Sequence, residues 1–277
     1  MKKLLILSIV ILLLITLSGC KNKIPENMVL VKGGAIKNTN SNYYNIEANI
    51  HSFYIGKYEV TQKEWVDVMG YNPSAFIGDD LPVEMISWYD AVEYCNKRSL
   101  KEGLEPYYNI NKNILDPHNI SEYDTIKWTV TINDKTNGYR LPTEIEWEYA
   151  ASGGQLSENF TYSGSNEVDE AAWYWRNAGD SYITGDWSWS LIENNQNKTH
   201  IVGGKLANEL GLFDMSGNVR EWCYDWYQDS NIPTGMQRIW KGGGWIGDAT
   251  SSAFSYRGKF EANGMGADHG FRICRNK

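Results

Sequence analysis

Gly138-Tyr139-Arg140-Leu141-Pro142-Thr143-Glu144-Ile145-Glu146-Trp147-Glu148-Tyr149-Ala150 is the stretch on which the fold turns. Thr143 is followed three residues later by Glu146, the spacing at which a hydroxyl and a carboxylate cap each other's backbone N–H groups at a helix start. Ile145, Tyr149 and Ala150 then form an apolar stripe, and Gly153-Gly154 stops it. The same signature recurs upstream. Thr61 with Glu64 precedes the stripe Trp65, Val68, Met69, closed by Gly70, and Ser87 with Asp90 precedes Ala91, Val92 and Cys95. Three modest helices are predicted. Runs of β-branched and aromatic residues at Met28 to Val31, Phe53 to Val60 and Ile126 to Ile132 read as strands. From about Asn159 onward the chain is mostly Gly, Asn, Asp, Ser and Trp without sustained periodicity, so the fold class is α+β with much irregular structure.

Composition agrees with that reading. At 42% hydrophobic and 22% charged residues, the 277-residue chain is too apolar to stay disordered. Thirteen per cent aromatics with 26 Gly against 7 Pro points to tight turns around large flat side chains, a loop-rich globule rather than a helical bundle. The net charge of −8 leaves no excess of Lys or Arg to displace counterions from a phosphate backbone, so nucleic acid is not an expected partner.

Lys2 and Lys3 precede an apolar run from Leu4 to Leu17, shorter than the roughly twenty residues a spanning helix needs. It reads as a signal-peptide core. Its end, Leu17-Ser18-Gly19-Cys20, resembles the lipobox of bacterial lipoproteins, which implies cleavage before Cys20 and a lipid on its thiol. Residues 1–19 are then a signal peptide, 20–27 the lipidated cysteine and tether, and 28–277 the domain. Loss of two lysines and no acid takes the net charge from −8 to −10. The expected location is the bacterial cell envelope, outside the cytoplasm and held at the membrane by the lipid.

Beyond the anchor, seven separated motifs together resemble the formylglycine-generating enzyme, or sulfatase-modifying factor, family. They are Met28 to Gly34; Tyr58-Glu59-Val60-Thr61-Gln62; Pro82-Val83-Glu84 with Ile86-Ser87-Trp88; Gly138 to Glu144; Glu146 to Ala150; Leu210 to Val219 with Glu221-Trp222; and Gly270-Phe271-Arg272. Their order and spacing cover residues 28 to 277. The resemblance implies a C-type-lectin-like α+β fold with short helices and little regular secondary structure.

It does not imply the family's reaction. Catalytic members carry two cysteines about five residues apart after a Gly-Gly-Ser-aromatic stretch, and these bind copper(I) and activate oxygen. Here the run is Gly242-Gly243-Gly244-Trp245-Ile246-Gly247-Asp248-Ala249-Thr250-Ser251-Ser252, with Gly247 and Ser252 at the thiol positions and Gly244 in place of the serine. Copper(I) wants soft thiolate donors, which neither residue supplies, so copper is not expected.

The resemblance also marks other positions. A family cysteine at the place of Cys95 can pair with one just after Gly-Phe-Arg, but Cys274 is displaced by one residue, which in a strand reverses side-chain direction and leaves the disulfide open. Cys223 reads as a buried thiol, the alternative of a nucleophile having no His nearby in sequence. His51, His118, His200 and His269 are scattered, with no pair at ligand spacing. In the loop Asp214 to Glu221, family calcium ligands map onto Asp214, Gly217, Val219 and Glu221, and hard oxygen donors on a glycine turn suit a structural calcium. A loop held by its own Asx hydrogen bonds is the other reading. Trp245, Asp248, Tyr256 and Arg257 fall where the family's active-site groove lies and form a candidate ligand groove; core packing is the alternative for the tryptophans.

Three functions follow from this set. The leading one is a non-catalytic, lipid-anchored module that binds a protein, peptide or glycan, of which retroelement-diversified proteins varying over a segment such as Trp245 to His269 are a special form. The second is an oxidase of exported protein cysteines with a rearranged metal site, and the third a scaffold of an envelope complex.

Overall fold

A computed structural model of the chain describes residues 24–47 and 50–277; the signal segment, Cys20 and the first tether residues lie outside the described residues. The three capping boxes form as their spacing predicts. The Thr61 hydroxyl accepts from Glu64 N at 3.2 Å while Glu64 accepts from Thr61 N at 3.1 Å, starting α1 (Gln62–Met69), which ends on Gly70 in the left-handed conformation. Ser87 and Asp90 cap α2 (Trp88–Lys101), and Thr143 and Glu146 cap α3 (Glu144–Ala151). At 14 residues α2 is longer than its sequence stripe predicts.

The strands of the first half are β1 (Met28–Val31), β2 (Phe53–Gly56), β3 (Tyr108–Leu115), β4 (Trp128–Ile132) and β5 (Tyr139–Arg140). The second half adds two short helices, α4 (Val168–Ala171) and α5 (Trp189–Asn194), then β6 (Arg220–Trp226), β7 (Arg238–Lys241), α6 (Ala249–Ser252), β8 (Gly258–Phe260), β9 (His269–Gly270) and β10 (Cys274–Asn276). Three sheets result, ordered β1-β2-β10-β5, β3-β4 and β8-β7-β6-β9. The last strand of the chain thus lies between strands from its first half, antiparallel to both β2 and β5. The architecture is mixed α+β with short elements, as the sequence predicts.

Aromatic plates fill the space between these elements. One core cluster gathers Trp65, Trp88, Tyr94, Trp222 and Phe271 under α1 and α2, with Trp65 stacked on Tyr94 at 5.3 Å. A second places Trp147 and Tyr149 of α3 against Phe53, Ile55 and Met215. A third, built on Tyr174, Trp175, Ile192 and Trp245, organises the irregular second half. Burial of such side chains, at about 25 cal/mol per Å² of apolar area, replaces long ladders as the main stabilising term.

Cys95 and Cys274 are free buried thiols, so the disulfide that the resemblance left open does not form. The strand period is the reason. On the final segment Ile273 packs into the cluster containing Cys95, whereas Cys274 belongs to the cluster on the other side.

Candidate functional site

The turn after β7 carries the segment that matters most for chemistry. Gly242 and Gly243 both have positive φ, 86° and 72°, and swing the chain into α6. Asp248 caps that helix, its carboxylate accepting from Ser251 N at 2.8 Å. Ser252 is fully buried and its hydroxyl donates to Asp248 O at 3.1 Å; Ser251 Oγ donates to the same carbonyl at 2.9 Å. Beside Gly247, Ser251 Oγ takes the space a side chain would claim. Positions 247 and 252 therefore form a closed hydrogen-bonded turn with no soft donor. Copper(I) does not fit these residues.

The remaining described thiols are no substitute. Cys95, Cys223 and Cys274 are buried, and burial pushes each thiol's pKa well up, away from the thiolate a nucleophile or soft-metal ligand needs.

The four residues expected to line a groove have separate tasks. Trp245 is only 4% exposed; its indole N–H donates to Ala267 O at 2.9 Å and its ring packs edge-on to Phe76 at 5.4 Å. It is a core plate, which corrects the expectation of a groove wall: an irregular region of this size needs an apolar centre, and Trp245 provides it. Asp248 is a helix cap, and Tyr256, 38% exposed, leans on Trp240 at 5.6 Å. Arg257 spends its charge on Glu144, at 2.6 and 2.9 Å, which raises the guanidinium pKa further.

Solvent-facing aromatics lie instead on the neighbouring segment. Trp187 and Trp189 are 50% and 49% exposed, next to exposed Tyr182 and Leu191. The Trp187 indole donates to Ile246 O at 3.0 Å, and Trp189 lies 6.5 Å from Trp245, so this face borders the degenerate 247–252 turn. Arg176 braces the loop by donating to Ile183 O and Gly185 O, each at 2.8 Å. Sequence placed both tryptophans in an aromatic-rich segment but could not separate them from core plates, because exposure has no local signature in a chain without periodicity.

The calcium-loop residues surround a buried charge cluster. Asp214 and Asn218 adopt left-handed conformations, φ 56° and 61°, that short polar side chains tolerate. Glu221 receives Arg272 Nε and Nη2, both at 2.6 Å, and Trp147 Nε1 at 2.7 Å. Glu59 accepts from Asn218 Nδ2 at 2.6 Å and Val219 N at 3.1 Å. Burial, with Asp214 and Glu221 nearby, raises the Glu59 pKa well above the usual range, and burial lifts Asp214 to about 6. Three carboxylates thus face one guanidinium. Asp214 Oδ1 is buried without a partner, and Glu221 Oε1 accepts only one hydrogen bond. Each of these oxygens keeps acceptor capacity of the hard kind that a cation such as calcium takes. Among the described residues no three His, Cys, Asp or Glu side chains converge as a metal-binding group, so the loop carbonyls would have to complete the set.

A family profile described as sulfatase-modifying factor enzyme 1-like domain matches residues 17–277. The chain is 58% identical to the chaperone protein LppX of Paenibacillus barcinonensis over 265 residues, covering 94% of this chain and 95% of that protein. It is 32% identical to a formylglycine-generating enzyme of Thermomonospora curvata over 127 residues, 39% of each chain. Among solved structures, Treponema denticola variable protein 1 superposes with a TM-score of 0.69 at 32% identity, covering 89% of this chain and 95% of that one. CarF, at 24% identity and a TM-score of 0.66 over 92% of this chain and 99% of its own, is alike in fold alone.

Proposed function

The chain belongs to the sulfatase-modifying factor enzyme 1-like family, and from that premise we propose that it is a lipid-anchored protein of the bacterial cell envelope whose domain binds other proteins without catalysing the family's oxidation. One observation carries the reading: Gly247 and Ser252 stand where the family's copper thiolates would be, and the Ser252 hydroxyl is tied into the turn. The exposed aromatic face of Trp187 and Trp189 beside that turn supports a protein partner, since desolvating such rings is what binding surfaces use. The chaperone name of the 58% identical relative supports a partner that is an exported, incompletely folded polypeptide. The lipobox at Cys20 supports the anchor. Calcium belongs to the same proposal: Asp214 Oδ1, the carbonyls of Gly217 and Val219, and Glu221 would hold the ion, which supplies positive charge to the buried carboxylates and ties the loop to β6.

The test takes the full-length protein in detergent. It is expected to delay aggregation of a chemically denatured exported enzyme, and the Trp187→Ser/Trp189→Ser double variant to lose that effect. Incubation with copper(I), oxygen and a Cys-x-Pro-x-Arg peptide is expected to leave the cysteine unchanged by mass. Aldehyde formation above a copper-only control would overturn the non-catalytic reading, and equal protection by the double variant would remove the aromatic face from it.

A further inference from the structure

Four cationic side chains among the described residues are buried: Arg140, Arg238, Lys241 and Arg272. Three have a carboxylate. Arg140 pairs with Glu146 at 2.7 Å, Lys241 with Glu148 at 2.7 Å and Arg272 with Glu221 at 2.6 Å. Arg238 makes no such ion pair among the described residues.

Its guanidinium carbon lies over two indoles, 3.7 Å from the Trp88 ring centre and 3.5 Å from that of Trp226. One nitrogen, Nη1, donates to Tyr224 O at 2.6 Å, while Nε is buried without a partner. Neighbouring rings offset part of the desolvation cost, but a buried Nε donor without an acceptor is expensive, and no carboxylate among the described residues pairs with the charge. Burial accordingly lowers the Arg238 pKa to about 10, which still leaves the side chain charged at neutral pH.

Arg238 lies in the wall of a cavity of about 590 Å³, within the range of small-ligand sites. Asp116 and Asp225 line the same cavity, with the hydroxyl-bearing Thr131 and Thr234 towards its exposed side. Gly235, at φ 96°, closes the wall so tightly against the His118 carbonyl that a Cβ there would run into it. Both acids keep acceptor capacity: Asp116 Oδ1 receives His118 N at 2.9 Å and Asp225 Oδ2 receives Glu144 N at 2.7 Å, leaving the second oxygen of each. A simple anion would be repelled by these two acids and a simple cation by Arg238.

We propose that this cavity binds a zwitterion, a free amino acid or short peptide, with its carboxylate on the Arg238 fork and its ammonium towards Asp116 and Asp225. A planar guanidinium already fixed by two rings presents its donors without further ordering, which is what recognition of a carboxylate requires. The inference is independent of the aromatic face and of the anchor.

Titration calorimetry of the full-length protein in detergent tests it, with leucine and trialanine as probes and leucinamide, which lacks the carboxylate, as control. Saturable heat with leucine or trialanine and none with leucinamide is expected; a response to leucine alone assigns a free amino acid, and one to trialanine alone a peptide. Arg238→Gln should abolish the heat. Because that change alters a buried position, N-acetylleucine, which keeps the carboxylate but lacks the ammonium, supplies a second reading on the unaltered protein and should bind at least roughly tenfold more weakly than leucine, since Asp116 and Asp225 repel an anion. Equal heats from leucine and leucinamide, equal affinity for leucine and N-acetylleucine, or no heat from either zwitterion up to millimolar concentration in a protein that circular dichroism shows to be folded would each overturn it.

Discussion

Arg272, two residues before the final strand, reaches Glu221 at the start of β6 through two hydrogen bonds of 2.6 Å, with both side chains fully buried. Arg272 also donates to Gly56 O at 3.0 Å and Phe213 O at 2.8 Å, so one guanidinium joins β2, the loop before β6 and β6 itself. Removing the Glu221 carboxylate takes away the bidentate acceptor of this guanidinium, and Glu59 and Asp214 nearby make no hydrogen bond to it in its place. Glu221→Gln is therefore expected to cost about 3–5 kcal/mol in urea unfolding. Breaking the exposed Lys97–Glu93 pair should cost less than about 1 kcal/mol. Similar costs for the two would refute the structural role given to Arg272.

In calcium-free buffer Asp214 gives a signed pH dependence. Its pKa rises from 3.8 to about 6 on folding because burial disfavours its charge, so between those values the folded protein binds more protons than the unfolded chain. Its contribution to stability is full below pH 3.8 and is lost as the pH climbs to about 6. Asp214→Asn, which keeps the left-handed turn and cannot ionise, should flatten that part of the slope. An unchanged slope would mean that other groups, such as Asp225, carry it.

The calcium proposal makes its own prediction at neutral pH. Added calcium should raise the melting temperature of the wild type by mass action, and should leave Asp214→Gly, which retains the backbone freedom but no oxygen donor, unmoved. A shift of equal size in both proteins would place the ion elsewhere.

Native thiol chemistry should be absent from the folded domain. Iodoacetamide is expected to leave Cys95, Cys223 and Cys274 unmodified until denaturant is added, when all three react together. Modification of Cys223 under native conditions would reopen the possibility of a reactive cysteine.

Ser87 tests the local code. Ser87→Ala removes the acceptor for Asp90 N at the start of α2 and should lower stability by about 1 kcal/mol in the same urea assay. No loss would show that burial of Trp88 and Tyr89 alone sets where α2 begins.

The capping boxes were legible because each is closed by residues three apart, and β1 was legible because its apolar residues are contiguous. The bounds of β2 and β4 were less so: the strand-like run to Val60 stops at Gly56, and Ile126 and Lys127 precede the ladder that begins at Trp128. The helices α4 to α6 passed unnoticed because four to six residues are too few to display a period. That Gly247 and Ser252, the positions the family resemblance assigns to copper ligands, carry no thiol could also be read directly, since side-chain identity decides donor softness before any folding occurs.

Sequence alone thus determined the α+β class, the family fold and the missing thiols, because these depend on residue identity, order and short spacings. Only the tertiary structure decided that Trp245 is core while Trp187 and Trp189 face solvent, that Cys95 and Cys274 stay apart, and that Arg238 is buried without an ion pair among the described residues. Each of those is a relation between segments far apart in the chain, set by which face of a strand or loop meets which neighbour, and a one-dimensional order does not contain that distance.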